Sequence, residues 1–428
     1  MFSTDMNRRD FLKTALLGGI AACGGGLLSA CGAPSATGDA QAPSGAKQAG
    51  GVTLRMWGNH PEWKDPLLEA LNFFEEETGN KIQLELKPGS EYVQLLNAAF
   101  QSGEGPDLPG VVPGPLLDEF LDNGYILDLK GKVHVDRLVK PSRMRVTREG
   151  GKIAGVPFGM WTVGMYYHKP VFEELGLEIP RTWAELNAAC AELQAAGKIP
   201  LMQAAKSGVI PSFYYLGLTG TVLGSDGYGE LLAGDRKLTD PDVVSAVEEL
   251  MALVPYFPEG YASIDYADGK AQFARGEIAM ALGGSADYAG YREVNPDVDL
   301  DFFAFPAPDS GEGQPVTVTG QDLVYCVNSE SEHIDQAIEF VDWLTTPEAN
   351  QEFTDRIQLP TVEGVVPNNP MWARQVEEAG DQMPFMREIV EMASVWNVLT
   401  QHMQTMLLGE MPVAELSELA QAALEESI

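Results

Sequence analysis

The part of the chain that has the composition of a folded protein begins with segments in which apolar and polar residues alternate. Residues 52–57 (Val-Thr-Leu-Arg-Met-Trp) and 81–86 (Lys-Ile-Gln-Leu-Glu-Leu) alternate with a period of two, which predicts two β-strands. Residues 66–78 and 91–101 carry apolar side chains at helical spacing, which predicts two amphipathic helices. This strand–helix–strand–helix order predicts a parallel sheet with helices on its faces.

Capping residues mark further helix starts. Residues 182–185 (Thr-Trp-Ala-Glu) predict a capping box, in which the Thr hydroxyl and the Glu carboxylate each bond the other's backbone N–H. Residues 346–347 (Thr-Pro) predict a Thr cap followed by Pro at the first helical position. Near the end of the chain, the patterns over 387–408 and 414–424 predict two more helices, separated by a Gly and a Pro.

The first thirty-one residues predict an export signal. The pair Arg8-Arg9 precedes an apolar run that is too short and too rich in Gly to span a bilayer comfortably. Residues 28–31 (Leu-Ser-Ala-Cys) resemble a lipobox, so residues 1–30 are predicted to be a twin-arginine lipoprotein signal peptide and Cys31 the lipidated residue. Cys23, which ends a looser lipobox, is the alternative.

A flexible tether follows. Residues 32–51 consist mainly of Gly, Ala, Ser, Pro and Gln and cannot build a core, so 31–51 are predicted to be a lipidated Cys and its tether. The alternative interpretation is a disordered N-terminal segment without lipid. The predicted location is the cell membrane, with the folded body held on the extracellular or periplasmic side.

Length and charge narrow the classes of function. The chain has 428 residues, and the part beyond the tether is long enough for two domains. Its net charge of −34, from 28 Lys and Arg against 62 Asp and Glu, argues against nucleic acid as a partner and disfavours a highly anionic ligand. We attribute most of this acidity to solubility.

No catalytic constellation stands out in the sequence. It contains no nucleophile elbow, no Walker loop and no His or Cys at metal-ligand spacing, which predicts a protein that is not an enzyme and has no cofactor or metal. Beyond the leader, Cys190 and Cys326 fall in apolar patterns typical of small buried side chains. Whether they form a disulfide stays open.

Several segments, in one order, resemble the bacterial extracellular solute-binding proteins of ABC sugar importers, of which maltose-binding protein is the best-known member. The first strand and the following segments carry the resemblance: 74–79 (Phe-Glu-Glu-Glu-Thr-Gly), 105–107 (Gly-Pro-Asp), 151–157 (Gly-Lys-Ile-Ala-Gly-Val-Pro), 165–169 (Met-Tyr-Tyr-His-Lys), 180–186 (Pro-Arg-Thr-Trp-Ala-Glu-Leu), 273–280 (Phe-Ala-Arg-Gly-Glu-Ile-Ala-Met) and 337–351. Together they cover nearly all of the chain beyond residue 52.

The resemblance implies an α/β, two-lobed periplasmic-binding-protein fold with a hinged cleft between the lobes. Lobe 1 would comprise residues 52–159 and 321–362, and lobe 2 residues 160–320 and 363–428. The implied function is that of a monomeric, lipid-anchored binding protein, which captures a carbohydrate and delivers it to the permease subunits of an ABC importer. The expected carbohydrate is an oligosaccharide. A ligand that touches both lobes would favour the closed form.

Aromatic rings that stack on sugars and polar groups that meet hydroxyls are expected in such a cleft. Trp161 lies at the family's first crossing between lobes, where a polar residue is common. Trp396 and Asn397 lie where the family has an aromatic pair on a late helix. A place in the hydrophobic core is the alternative for both Trp residues.

Six further residues are expected to line the cleft. Asn59 and His60 follow the first strand, where loops at strand C-termini line the cleft in such sheets, with helix capping as the alternative. Phe213 and Tyr214 match aromatic positions of the family, with core packing as the alternative, and Gln321 matches its second crossing. Residues 284–287 stand where the family usually has Gly-x-Trp; this chain lacks that Trp, and Asp287 or Tyr288 is the expected substitute. The six are Asn59, His60, Phe213, Tyr214, Asp287 and Gln321, and Ser285 joins them through the 284–287 segment.

The sequence leaves three other functions open. The same architecture binds glycerol phosphates, polyamines and iron, so a non-sugar solute is one alternative. A secreted carbohydrate-active enzyme with an acidic pair in the cleft is another. An adhesion or sensor lipoprotein that binds a protein partner is the third.

Overall fold

The computed structural model describes residues 51–428. The predicted signal peptide, the lipidation site at Cys31 or Cys23 and nearly all of the tether lie outside the described residues. No helix within 51–428 has the length and apolar character needed to cross a membrane.

Eleven strands lie within residues 51–428: β1 (Thr53–Gly58), β2 (Lys81–Leu86), β3 (Leu108–Val111), β4 (Val156–Pro157), β5 (Trp161–His168), β6 (Ile199–Met202), β7 (Ile278–Gly284), β8 (Leu300–Phe303), β9 (Val316–Gly320), β10 (Val324–Tyr325) and β11 (Asp381–Pro384).

Sixteen α-helices lie in the same range: α1 (Lys64–Thr78), α2 (Gly89–Gln101), α3 (Pro115–Asp122), α4 (Lys140–Val146), α5 (Lys169–Leu175), α6 (Trp183–Ala195), α7 (Val209–Leu223), α8 (Gly227–Ala233), α9 (Pro241–Leu253), α10 (Tyr266–Ala274), α11 (Asp287–Val294), α12 (Ile334–Trp343), α13 (Pro347–Thr354), α14 (Pro370–Glu377), α15 (Ala393–Leu407) and α16 (Val413–Glu425).

The first sheet has the order β2-β1-β3-β10-β4. Strands β1, β2 and β3 are parallel, as the alternation of strands and helices predicts, whereas β10 runs antiparallel to both of its neighbours. In β1 the side chains of Leu54 and Met56 are fully buried, and Thr53 faces solvent. The alternating pattern therefore places β1 correctly, with its apolar side against the helices.

The second sheet has the order β11-β9-β5-β7-β6, and β8 pairs with the C-terminal half of β5. This sheet is mixed: β5 is antiparallel to β7, β8 and β9, while β6–β7 and β9–β11 are parallel pairs. The two-sheet α/β architecture agrees with the predicted fold class.

Each sheet has its own hydrophobic core. The core of the first sheet is built from buried residues between 54 and 158 and between 323 and 365. The main core of the second sheet comes from residues between 163 and 318 and between 383 and 424, and a smaller cluster around Tyr166 and Phe302 lies beside it. We call these the first core and the second core. The exact lobe boundaries stay a prediction.

The chain crosses between the cores in three segments that run side by side. Met160 and Leu359 exchange two backbone hydrogen bonds of 2.9 Å. Trp161, the first residue of β5, is paired in register with Gly320, the last residue of β9. The Asn350 side chain donates to the carbonyl oxygen of Phe158 at 3.0 Å. The relative position of the two sheets is therefore set by hydrogen bonds among the crossings.

Local signals predict three of the helix ends correctly. Helix α1 stops at Gly79, whose φ of 79° is in the left-handed region that Gly adopts readily. The capping box at Thr182 and the Thr346 cap before Pro347 are both present. Cys190 and Cys326 are buried, as predicted, and both are free.

The helix predicted to begin at residue 387 is wrong in its first turn. Residues Met386–Glu388 and Val390–Met392 form two short 3-10 turns, and α15 begins only at Ala393. Between the turns, Ile389 is extended, with φ −108° and ψ 123°. The tertiary contacts of Glu388, described below, outweigh the helical preference of this segment.

The capping box yields a stability prediction. Thr182→Ala removes the acceptor for the Glu185 backbone N–H (3.3 Å) and should lower the free energy of unfolding by about 1 kcal/mol. Urea denaturation measures this loss. Thr182→Ser keeps the oxygen and should stay within a few tenths of a kcal/mol of the parent protein. Equal losses in both variants would contradict the capping role.

Candidate functional site

Four aromatic rings from four elements meet at the edge of the second sheet. Trp161 begins β5, Phe213 lies in α7, Phe385 follows β11, and Trp396 lies in α15. The ring centroids are 5.2 Å apart for Trp161–Phe385 and Phe213–Phe385, and 4.8 Å for Phe385–Trp396. We call these four residues the aromatic cluster.

The members of the aromatic cluster differ in exposure. Phe385 and Trp396 are 5% and 6% exposed and belong to the second core. Trp161 and Phe213 are only partly buried. The cluster therefore has a buried base and two rings that solvent can reach.

Residues 320–322 lead from the aromatic cluster toward the first core. Gly320 packs so tightly on the Trp161 indole that a Cβ atom there would overlap the ring. Gln321 follows, and then Asp322, whose carboxylate is 3.7 Å from His60 Nε2. Since successive Cα atoms are about 3.8 Å apart, the aromatic cluster and His60 lie close to the same short segment.

His60 lies at the C-terminal end of β1 and belongs to a charged group. Its ring stacks on Trp63 at 3.8 Å, and its Nδ1 is 2.8 Å from the Glu62 carboxylate. Burial lowers the pKa of His60, but hydrogen bonds and the charges of Asp322 and Glu62 outweigh burial and raise the pKa above its ordinary value. His60 is thus held as a donor between two carboxylates.

The side-chain amide of Gln321 has no hydrogen-bond partner at either its oxygen or its nitrogen, although the residue is only 2% exposed. The Asn59 side-chain oxygen is likewise buried without a partner. Buried amide groups are normally bonded, because an unbonded one costs about 1–3 kcal/mol. Between them, these two residues offer one amide NH2 group and two carbonyl oxygens to an incoming polar molecule or to water.

A buried ion pair lies directly behind this segment. Arg145 of α4 pairs through Nε with Glu388, and the two side chains are 2% and 5% exposed. Glu388 also accepts a 2.8 Å hydrogen bond from the backbone N–H of Gln321, and Arg145 donates to the carbonyl oxygen of Thr319. A cavity of about 320 Å³, lined in part by Arg145, Tyr228 and Glu388, adjoins the pair.

The comparison with protein families identifies this architecture. The family model described as bacterial extracellular solute-binding protein matches residues 57–351. The chain belongs to this family. The family that the sequence motifs indicate is therefore confirmed.

Individual relatives agree over most of the chain. The multiple sugar-binding protein of Streptococcus mutans serotype c is 25% identical over 314 residues, which is 71% of this chain and 73% of that protein. The maltooligosaccharide ABC transporter solute-binding lipoprotein of Streptococcus pneumoniae serotype 4 is 22% identical over 403 residues, or 90% of both chains.

Solved structures of this fold match as well. The apo form of RafE from Streptococcus pneumoniae aligns with a TM-score of 0.73 at 21% identity, covering 90% of this chain and 99% of that chain. The cyclic α-maltosyl-1,6-maltose-binding protein of Arthrobacter globiformis aligns with a TM-score of 0.72 at 20% identity, covering 88% and 99%. The predicted solute-binding fold is therefore confirmed.

Within this solute-binding protein, Trp161, Phe213 and Trp396 meet in the aromatic cluster, while Asn59, His60 and Gln321 gather near Asp322. Ser285 is buried, and its backbone N–H donates to the carbonyl oxygen of Thr162, the residue after Trp161, at 2.8 Å. Asn397 is exposed on α15.

Two predicted residues are fully engaged elsewhere. Tyr214 is 1% exposed, and its hydroxyl donates to Met202 at 2.7 Å, so core packing accounts for it. Asp287 accepts from Lys270 at 2.9 Å, from the Gly284 N–H at 2.7 Å and from the Tyr266 hydroxyl. These bonds leave its carboxylate with a structural role at the start of α11.

Sequence reasoning missed three residues of this region. Phe385 completes the aromatic cluster, and Asp322 pairs with His60. Trp372 of α14, a half-buried residue, donates from its indole N–H to the carbonyl oxygen of Ser285 at 3.2 Å. It stands beside the segment in which the family's Trp is missing. No local pattern reveals Trp372, because α14 lies far along the chain from Ser285. Within residues 51–428, no group of three or more His, Cys, Asp or Glu side chains is arranged to hold a metal.

Exposure separates the roles of the two cluster tryptophans. Trp396→Ala should lower the free energy of unfolding by about 3–5 kcal/mol, because it empties a buried site in the second core. Trp161→Ala should cost roughly 1–3 kcal/mol, since Trp161 is partly exposed. Urea denaturation of both variants, with Trp396→Phe as the conservative control, measures the difference. Similar losses for both would mean that Trp161 is a core residue.

Proposed function

We propose that this protein is a lipid-anchored extracellular solute-binding protein that captures an oligosaccharide and delivers it to the permease of an ABC importer. The observation that carries the proposal is the combination of two solvent-accessible rings, Trp161 and Phe213, with the unbonded amide of Gln321 beside them. Apolar faces and hydroxyls alternate on a sugar, and such a site offers partners to both.

The proposed binding residues come from both cores. Trp161 and Phe213 stack on the ligand, with Trp396 and Phe385 as their support. Asn59, His60 and Gln321 supply hydrogen bonds. In the same proposal, Trp372 supplies the ring that residues 284–287 lack, and Ser285 and Asn397 lie at the margin.

Charge supports a neutral ligand. Arg145 is already paired with Glu388, which also accepts from the Gln321 backbone N–H, and His60 stands between Asp322 and Glu62. A phosphate or a uronic acid would therefore have to compete with carboxylates that are in place. The names of the relatives point the same way, since they bind multiple sugars and maltooligosaccharides.

The crossings support the proposed movement. With lobes at 52–159 plus 321–362 and 160–320 plus 363–428, the three adjacent crossings act as a hinge, and a ligand held by residues from both cores favours closure. The protein works as a monomer and performs no chemistry on its cargo.

A thermal-shift panel tests the ligand class. The panel contains maltotriose, raffinose, stachyose and xylotriose, with glycerol 3-phosphate and spermidine as non-sugar controls. A ligand at about one hundred times its dissociation constant adds about 2.7 kcal/mol and raises the unfolding midpoint. A shift with an oligosaccharide supports the proposal. A shift only with a control, silence across the panel, or a cleaved product would contradict it.

A binding variant then locates the site. Trp161→Ala should weaken the affinity of the oligosaccharide at least about tenfold in isothermal titration, because it removes a stacking ring. Phe73→Ala is the matched control, since Phe73 is 38% exposed on α1 and α1 packs on the first core. Equal affinities in the two variants would remove Trp161 from the site.

The anchor is tested in bacteria that make the full chain. Cys31→Ala should move the protein from the membrane fraction to the soluble extracytoplasmic fraction, because it removes the acceptor of the lipid. Cys23→Ala should leave it at the membrane. If only Cys23→Ala releases the protein, Cys23 is the lipidated residue.

A further inference from the structure

Two adjoining cavities form a groove that none of the proposed oligosaccharide-binding residues lines. The first, of about 320 Å³, lies beside the Arg145–Glu388 pair, and the second has a volume of about 580 Å³. The walls come from both cores, since Leu121 of the first core and Tyr228 of the second contribute to them. Five lining residues are common to both cavities: Asp118, Arg148, Glu149, Val390 and Glu391. We call the two cavities together the acidic groove.

The acidic groove has more carboxylates than basic side chains. Each of its three basic side chains is already paired with a carboxylate of the groove: Arg145 with Glu388, Arg148 with Asp118, and Lys152 with Asp122 at 3.9 Å. Among residues 51–428, Glu149 and Glu391 form no ion pair with a basic side chain. The groove therefore carries two uncompensated carboxylates, and a cation is the ligand that would compensate them.

The pKa of Asp118 reflects this excess of negative charge. Burial raises the pKa, the adjacent Arg148 lowers it, and the charges of Asp122 and Glu391 raise it again, so that it stays above its ordinary value. An ion pair with Arg148 is thus not enough to offset burial and the neighbouring carboxylates. A further positive charge in the groove would stabilise Asp118 and Glu391 together.

A buried hydroxyl in the same groove is a second and independent sign of a ligand. Tyr228 of α8 lines the first cavity beside Arg145, and the residue is only 3% exposed. Its hydroxyl has no hydrogen-bond partner among residues 51–428. Leaving such a group unbonded costs about 1–3 kcal/mol, and a phenolic oxygen can accept a bond from an N–H donor.

Apolar side chains line the rest of the groove. Met144 and Val390 are large apolar residues, yet they are 45% and 41% exposed, and Leu232 lines the first cavity with them. Apolar surface beside uncompensated carboxylates suits a ligand with a positive group at one end and an apolar body at the other.

We propose that the acidic groove is a second binding site, which takes a small organic cation. Glu391 and the Tyr228 hydroxyl bind a primary ammonium group, and the apolar body of the ligand packs on Met144 and Val390. This site does not rest on the proposed function, because no residue of the oligosaccharide site takes part in it.

The test is isothermal titration of the protein with phenethylamine and with phenethyl alcohol, its neutral counterpart of nearly the same shape. We expect the amine to bind at least about fivefold more tightly, which is the contribution of one good ion pair. Added salt should weaken binding of the amine and leave that of the alcohol nearly unchanged, because salt screens charges.

Two variants test the groups that bind the ammonium. Glu391→Gln should weaken the affinity of phenethylamine at least about fivefold. Glu332→Gln, which changes an exposed carboxylate outside the groove, is the matched control. Tyr228→Phe keeps the ring and removes the hydroxyl, so it should weaken amine binding without lowering the free energy of unfolding, since that hydroxyl has no partner among residues 51–428.

A third variant fills the groove. Gly229 of α8 lines the first cavity, and a Cβ atom there would meet no other atom within 4 Å. Gly229→Met should therefore place its side chain in open space, keep α8 intact and abolish binding of phenethylamine. Trp161→Ala should leave amine binding unchanged, because Trp161 does not line the groove.

Three results would overturn the proposal. The first is no saturable binding of phenethylamine, and the second is equal affinity for the amine and the alcohol. The third is amine binding that survives Glu391→Gln and Gly229→Met but is lost in Trp161→Ala, which would place the cation in the oligosaccharide site. The last two variants also assign any effect of spermidine to one site or the other, so failure of this proposal is distinguishable from failure of the proposed function.

Discussion

The hydrogen bonding among the three crossings between the cores is the constraint on which the rest of the structure depends. Met160 pairs with Leu359, Trp161 with Gly320, and Asn350 with the carbonyl of Phe158. Because all three segments are fastened to one another, the two sheets are held in a fixed register along this line. The aromatic cluster and the unbonded amide of Gln321 are therefore held in place relative to the crossings, since Trp161 and Gln321 both lie there.

The same constraint explains why polar groups are tolerated in this region without partners. A buried amide in a native protein is normally bonded to another protein group or to water. Gln321 is held by its backbone, through Glu388, and its side chain is left over. A buried polar group without a partner beside solvent-accessible rings is one of the places where a function is expected.

Features of the fold and of the site could be predicted where they depend on residues close together in the sequence, but not where they depend on residues far apart. The period of two in β1, the Gly79 stop and the Thr182 capping box are local signals, and the structure agrees with them. The pairing of His60 with Asp322 and the contact of Trp372 with Ser285 join residues far apart in the sequence, and no periodicity encodes them. Residues 387–392 show the conflict directly: their pattern is helical, but Glu388 is required at Arg145, and the tertiary contact outweighs the local preference.

Motif resemblance indicates part of the proposed site for a related reason. Positions such as Trp161 and Gln321 lie at crossings, where the fold itself fixes the location of the residue whatever its type. Tyr214 and Asp287 lie on regular elements, where the side a residue faces depends on the packing of this particular chain. The structure assigns them to the core and to a helix start.

The position of β10 in the first sheet has a consequence for biosynthesis. This strand lies between β3 and β4, although most of the second sheet is encoded between β4 and β10. During translation β3 and β4 leave the ribosome early and have no common neighbour, so each presents an unpaired edge. The first core can close only after the greater part of the second has been synthesised. The amino-terminal half of this protein is therefore not an independent folding unit, and an incomplete chain would be a substrate for chaperones and proteases rather than a smaller version of the same binding protein.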